Sequence, residues 1–321
     1  MSKSEVGKKD DGRLLAEDEK LAREELARRE AEAEMEVSIL DAARALNADP
    51  VQPTRLKSED SFKFRCHKGV SCWNACCHDT DITLTPFDIL RLARHFEVRP
   101  KDILHMFTLP ALSDKCGLPV AKLRVRETPA AMGKPCVFLD EKEGCTVYKD
   151  RPVSCRYYPL GLAAVKMKGH DKAEDFYFLV REKHCQGHLE EKEQTVGDFR
   201  AEQGIEEYDL NNRGFVDILM KMASWKTLGG PWGKDLEPRT KRMFFMATTD
   251  VDAFRRFVFE TRFFEIYDVD PDLRERLQTD DELILRLAFD WLKHILFNEP
   301  TIRLKPAAMK DAIAKARRDM G

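Results

Sequence analysis

Cysteine is missing from the first 65 residues and from everything after position 185, although the chain holds nine. Thiols used only as small core residues would be spread along the chain, so confinement to one stretch points to a shared chemical task. Long apolar runs are also lacking. No stretch nears the roughly 18 apolar residues needed to cross a bilayer, so no membrane association is expected. The N-terminus, Met-Ser-Lys-Ser-Glu-Val-Gly-Lys-Lys-Asp, has no apolar segment behind its lysines and does not read as a secretory signal. The expected compartment is therefore the cytoplasm, where thiols stay reduced, and clustered cysteines there indicate metal or redox chemistry rather than disulfides. An excess of positive charge is absent: 54 Lys and Arg face 57 Asp and Glu, for a net charge of −3. Nucleic acid is accordingly not expected as a partner, whereas a protein partner or substrate stays open. Catalytic acid–base pairs, nucleophile triads, phosphate loops and internal repeats are not evident, and Gly229-Gly-Pro-Trp-Gly233 reads as a turn.

What is present suits about two domains: 321 residues, 43% hydrophobic and 35% charged. The reading is an α+β protein in three stretches. Residues 1–60 form a charged N-terminal helix and linker: residues 13–36 are rich in Ala, Glu and Arg without a heptad of apolar positions, and Pro50 and Pro53 close the arm. A solvated helix is preferred there over a docking helix. Residues 61–190 form a small cysteine-rich domain of short strands and helices, and residues 191–321 an all-helical region.

Helix starts carry local signals. Thr85-Pro86-Phe87-Asp88 has the pattern of a capping box with Pro at the first helical position, and Pro100 opens a second helix to Phe107. Further on, Thr195 with Asp198 opens a helix stopped by Gly204, and Phe215 to Leu228 reads as another. An apolar run from Val251 to Tyr267 follows Asp250; Pro271 opens a short helix, and Thr279-Asp-Asp-Glu282 caps a long one to Phe297. These helices carry enough Phe, Leu and Trp to build a core against the cysteine domain, and a basic helix over Pro306–Arg318 reads as solvated. Short β-like runs are expected at Leu118–Val125, Cys136–Leu139, Cys145–Tyr148, Leu162–Met167 and Asp175–Val180, with Cys136, Cys145, Cys155 and Cys185 at their ends.

The cysteines run Cys66-x5-Cys72-x3-Cys76-Cys77, Cys136-x8-Cys145-x9-Cys155 and Cys185. Thiolates take zinc, cuprous copper or iron–sulfur clusters in preference to magnesium or calcium. Two similar Cys-x2–4-Cys knuckles, the mark of a zinc ribbon, are not found. Adjacent Cys76 and Cys77 suit different metal atoms better than one tetrahedral ion, which favours an iron–sulfur centre or iron over zinc. Cys116 reads as structural. His67, His78, His184 and His188 read as neighbours or exposed side chains rather than ligands. Arg151 and Arg156, either side of Pro152 and Cys155, are expected to offset thiolate charge and donate hydrogen bonds to sulfur.

Phe64-x-Cys66…Cys72…Cys76-Cys77, Leu84-Thr85-Pro86-x-Asp88-Ile89 and Cys136-Val-Phe-Leu139…Cys145-Thr-Val-Tyr148-x-x-Arg151-Pro152-x-x-Cys155-Arg156-x-x-Pro159 together resemble the CxxCxxCC family. These are cysteine cluster proteins of the YkgJ type, described as zinc- or iron-chelating. The resemblance spans about residues 62–190. It implies a metal site with Cys66, Cys72, Cys76, Cys77, Cys136, Cys145, Cys155 and Cys185 as ligands. The early spacings of five and three residues depart from the family's two. A zinc-stapled interaction module without catalysis is the alternative. A third reading is a metal-dependent enzyme related to flagellin lysine N-methylase, a relative with a similar cysteine domain.

Overall fold

The computed structural model describes residues 55–127, 133–165, 174–228, 236–310 and Ala314. The expected helix over residues 13–36 and the turn at residues 229–233 lie outside them, as does most of the expected helix at residues 306–318. Among the described residues no helix is long and apolar enough to cross a membrane. Helices with short antiparallel strands make a mixed α+β fold in two compact units.

The first unit holds residues up to Arg65 together with Pro159–Val196. It is built from two antiparallel pairs, β1 (Ser61–Lys63) with β9 (Glu193–Thr195), and β7 (Leu160–Val165) with β8 (Glu174–Leu179). Phe62, Phe64, Leu160, Phe176 and Leu179 are buried.

The second unit, Cys66–Tyr158 with Gly197–Gly321, contains the remaining strands and most of the helices. Helix α1 (Pro86–Phe96) is its organising element. The capping box forms as the sequence indicates: Asp88 N–H donates to Thr85 Oγ1 at 3.2 Å and Thr85 N–H donates to Asp88 Oδ2 at 2.8 Å. The helix then serves two cores. Ile89, Leu92 and Ala93 face a small core with Leu123, Phe138 and Val147, beside the sheet β2 (Thr83–Leu84), β4 (Pro119–Leu123), β3 (Thr108–Leu112). Phe87 and Leu90 face a larger helical core. Each such side chain contributes about 1.5–3 kcal/mol of burial, so α1 joins the two cores strongly.

After the hairpin β5 (Leu139–Asp140) and β6 (Gly144–Cys145) comes α3 (Val153–Tyr157); the intervening α2 spans Pro100–Phe107. Helix α4 (Val196–Gln203) leads into the larger core, which is made by α5 (Ile205–Leu228), α6 (Pro238–Thr249), α7 (Val251–Glu260), α8 (Phe263–Ile266), α9 (Pro271–Arg276) and α10 (Asp281–Phe297). Asp250, Asp270 and Asp280 cap α7, α9 and α10 through their carboxylates.

Four sequence expectations are corrected here. Cys155 lies in helix α3 rather than at a strand end, because Asp88 Oδ1 accepts from Val153 N–H at 2.8 Å and starts a helical turn after Pro152. The strand at Cys145 stops there, and Tyr148–Asp150 turn as a 3₁₀ helix with Asp150 N–H donating to Val147 O. Cys185 stands in a turn beyond β8, its N–H donating to Glu182 O at 2.9 Å. Helix α5 begins at Ile205, not Phe215, directly after Gly204 at φ +63°.

Candidate metal centre

The segment around Cys76 and Cys77 is a tight 3₁₀ turn started by Asn74 in the left-handed region at φ 69°. Ala75 N–H donates to Cys72 O at 3.0 Å and Cys77 N–H to Asn74 O at 3.0 Å, so Cys72 is fixed one turn before the Cys76-Cys77 pair. The pair is tied to the next cysteine segment through the backbone: Cys136 N–H donates to Cys77 O at 2.7 Å. Cys145 is brought near by the hairpin, where it faces Leu139, while Leu139 N–H donates to Cys136 O at 3.0 Å. Cys155 rides on α3, which Asp88 pins to α1.

Electrostatics shows which thiols share a neighbourhood. A hydrogen bond with Cys76, burial and the charges of Cys76, Cys136 and Cys155 push the Cys77 thiol far above its ordinary range. Burial raises Cys136, with Cys145 and Cys76 adding to it. Burial also raises Cys145, with Cys76 adding and the Arg151 charge opposing. Burial followed by Cys136, Asp88, Cys145 and Cys76 raises Cys155. Cys155 is solvent-exposed by area. Cys76, Cys77, Cys136, Cys145 and Cys155 are thus among the thiols that share this neighbourhood. In such a group each thiolate formed makes the next harder to form, and a bound cation relieves the repulsion.

All nine cysteines stand as thiols. Cys66 is exposed and Cys72 half-buried. Cys185 belongs to the first unit and is half-buried there. Cys116, 5% exposed, sits in the larger apolar core with Phe87 and Leu118. Among the described residues no three His, Cys, Asp or Glu side chains are already gathered to hold one ion. The chemistry of the donor set nevertheless fits a thiophilic metal: the sulfurs of Cys76, Cys77, Cys136 and Cys145 are carried on segments tied to one another by backbone hydrogen bonds and strand pairing.

Several polar residues hold these segments. Asp150 accepts from Arg91 Nη2 at 2.6 Å and pairs with His95 Nδ1 at 3.0 Å, fixing the chain after Cys145 to α1. Burial alone would push the Asp150 carboxyl up, but its bonds to His95 and Arg91 win and hold it below the usual carboxylate range. Arg156 donates from Nε to Arg151 O at 3.0 Å, from Nη1 to Gln203 O at 2.6 Å and from Nη2 to Lys149 O. Arg151 donates to Tyr148 O at 2.7 Å and to the Gln203 side chain, lying over the Tyr148 ring. These hydrogen bonds correct the expectation of guanidinium donors to sulfur: the carbonyls of Tyr148, Lys149, Arg151 and Gln203 and the Gln203 side chain claim them. Of the expected charge offset, Arg151 acts through space on the Cys145 thiol, and Arg126, outside the sequence reading, acts on Cys136, each against the larger effect of burial.

Two residues outside the sequence reading belong to this region. Trp73 packs against Gly144, and buried Asn74 donates from its side chain to Glu141 O at 3.4 Å. The left-handed φ of Asn74 is the type of feature that Asn in Trp-Asn-Ala could have signalled. His67 Nδ1 accepts from Gly69 N–H at 3.1 Å, and His78 Nδ1 lies 3.1 Å from Asn74 O; each is engaged by its own loop.

Residues 65–186 match the model of the CxxCxxCC family, described as "Putative zinc- or iron-chelating domain". No curated protein and no solved structure matches the chain. The matched stretch contains all nine cysteines, and within it a zinc- or iron-chelating domain is the functional assignment the comparison supports.

Proposed function

We propose that the protein is a cytoplasmic metalloprotein that holds iron, as an iron–sulfur centre, through cysteine thiolates of residues 66–185. The observation carrying this reading is that the adjacent pair Cys76 and Cys77 lies in one 3₁₀ turn tied by backbone to Cys136, with at least Cys145 and Cys155 acting on the same thiols. One tetrahedral zinc takes four ligands, so five sulfurs in one neighbourhood favour a centre with more than one metal atom. Such a centre, when bound, supplies one-electron transfer.

In this proposal Cys76, Cys77, Cys136, Cys145 and Cys155 hold the centre, with Cys66, Cys72 and Cys185 as the further candidate ligands. Arg151 and Arg126 reduce the anionic charge of the thiolates. Asp88 and Asp150 fix the supporting segments to α1. Protein purified without oxygen is expected to be brown and to contain iron and acid-labile sulfide. A colourless protein with stoichiometric zinc and no sulfide overturns the iron–sulfur assignment and leaves a zinc-stapled domain.

A further inference from the structure

Trp73 presents an unusual donor. Its indole Nε1 is buried and has no hydrogen-bond partner among the described residues. A buried N–H left in this state loses its bonds to water without replacement, at a cost of about 1–3 kcal/mol. Phenylalanine at this position would avoid the penalty, and an acceptor supplied on metal binding would remove it.

The ring's position indicates which acceptor. Its Cε2–Cζ2 edge, the edge that carries Nε1, lies against Gly144: a Cβ there would stand 2.8 Å from Cζ2 and 3.6 Å from Cε2. Gly144, at φ +88°, permits this approach and directly precedes Cys145. Asn74 anchors the same loop to the hairpin through Glu141 O. The indole donor therefore sits in the seam between two cysteine-bearing segments. A neutral thiol is a poor acceptor, whereas a metal-bound thiolate is a strong one.

We propose that Trp73 is a positioning residue that donates its indole N–H to a thiolate sulfur of the metal-loaded centre, with Cys145, next to the Gly144 that the ring packs against, the first candidate. The role rests on the metal-binding reading but not on which metal is native. Partners of this kind orient ligands and typically contribute 10–100-fold to metal affinity.

The test loads the full-length, metal-free protein with Cd(II) and follows two signals. In the 15N–1H spectrum, the Trp73 indole resonance, assigned by its loss in Trp73→Phe, is expected to shift and to exchange more slowly with solvent once Cd(II) is bound. In Trp73→Phe, the cadmium stoichiometry is expected to stay unchanged while the 113Cd resonance moves and affinity falls about tenfold. An unmoved indole signal on loading overturns the proposal. So does an unchanged 113Cd spectrum and affinity in Trp73→Phe. If that variant does not fold, the wild-type indole signal still decides, with assignment by Trp225→Phe, Trp232→Phe and Trp291→Phe. Failure of the wild type to bind Cd(II) through sulfur removes the metal reading and this role together, which separates the two failures.

Discussion

Cys76 and Cys77 are adjacent in a 3₁₀ turn, and of the thiols around them Cys77 feels its neighbours most strongly. Replacing Cys77 or Cys76 with Ser is expected to remove half or more of the bound metal, because each sulfur serves the shared centre. Cys116→Ser is expected to leave metal content unchanged and to cost stability, since Cys116 is packed among apolar side chains. Metal analysis of the three variants after anaerobic purification checks the assignment; full metal in Cys77→Ser removes that residue from the ligand set.

Asp88 gives a pH signature at the same scale. Burial pushes its carboxyl up to about 6, and the opposing bonds from Thr85 and Val153 with the charge of Arg156 do not bring it back to 3.8. A carboxyl raised on folding contributes stability that is fully present below the unfolded pKa and is lost as pH rises through about 6. Between pH 7.5 and pH 5 the gain is about 1.4 kcal/mol. Because thiolates titrate too, the quantity to measure is the stability difference between wild type and Asp88→Asn in urea at both pH values. It is expected to shift toward wild type by about 1 kcal/mol at pH 5, and a difference that does not change with pH refutes the buried-carboxyl account.

At the scale of elements, helix α5 shows where sequence and packing disagree. Asn211, Asn212 and Gly214 are weak helix formers, so propensity places the start near Phe215, yet the helix runs unbroken from Ile205. Tertiary contacts override the preference: Asn212 Oδ1 accepts from Phe87 N–H at 3.2 Å, and Tyr208, Phe215 and Ile218 are buried. Gly214 lies so close to Phe289 of α10 that a Cβ would stand 2.7 Å from Cδ2 and 2.8 Å from Cβ of that residue. Gly214→Ala is therefore a test of sign. Helix propensity alone predicts a gain of about 1 kcal/mol, while overpacking costs about 1–3 kcal/mol. Net destabilisation in thermal or urea unfolding is the expected result, and a stabilised variant would show that α5 and α10 separate easily.

Helix starts were legible elsewhere because a cap is local chemistry: Thr85 with Asp88, and the aspartates at 250, 270 and 280, act within three residues of themselves. Strand pairs depend on distant partners. Thr108–Leu112 contains Pro110 and lacks alternation, so only its pairing with Pro119–Leu123 reveals it. Cys155, between Pro152 and Pro159, reads locally as the end of a strand; the Asp88 carboxylate that starts the helix there lies 65 residues before Val153. The clustering of cysteines along the chain was visible, whereas the grouping of five of them depends on the turn at Asn74 and the β5–β6 hairpin.

At the scale of the second unit, the small cysteine-side core and the large helical core share α1. Phe87 and Tyr208 meet edge-on at 5.1 Å on one face, while Ile89 and Leu92 are fully buried on the other. An element common to two cores transmits a loss of stability from one to the other, so this unit is expected to unfold as one cooperative body. Metal bound only by the folded form adds about 2.7 kcal/mol at a free concentration 100 times its dissociation constant. For a body of this size, that raises the midpoint by on the order of 5–10 °C. Stripping the metal anaerobically with a chelator, under reducing conditions, should therefore move the unit's whole calorimetric transition downward. If α1 did not couple the cores, a metal-sensitive shoulder would separate from an unmoved helical transition. A split endotherm of that form would count against the shared helix as the mechanical link between thiols and helical core.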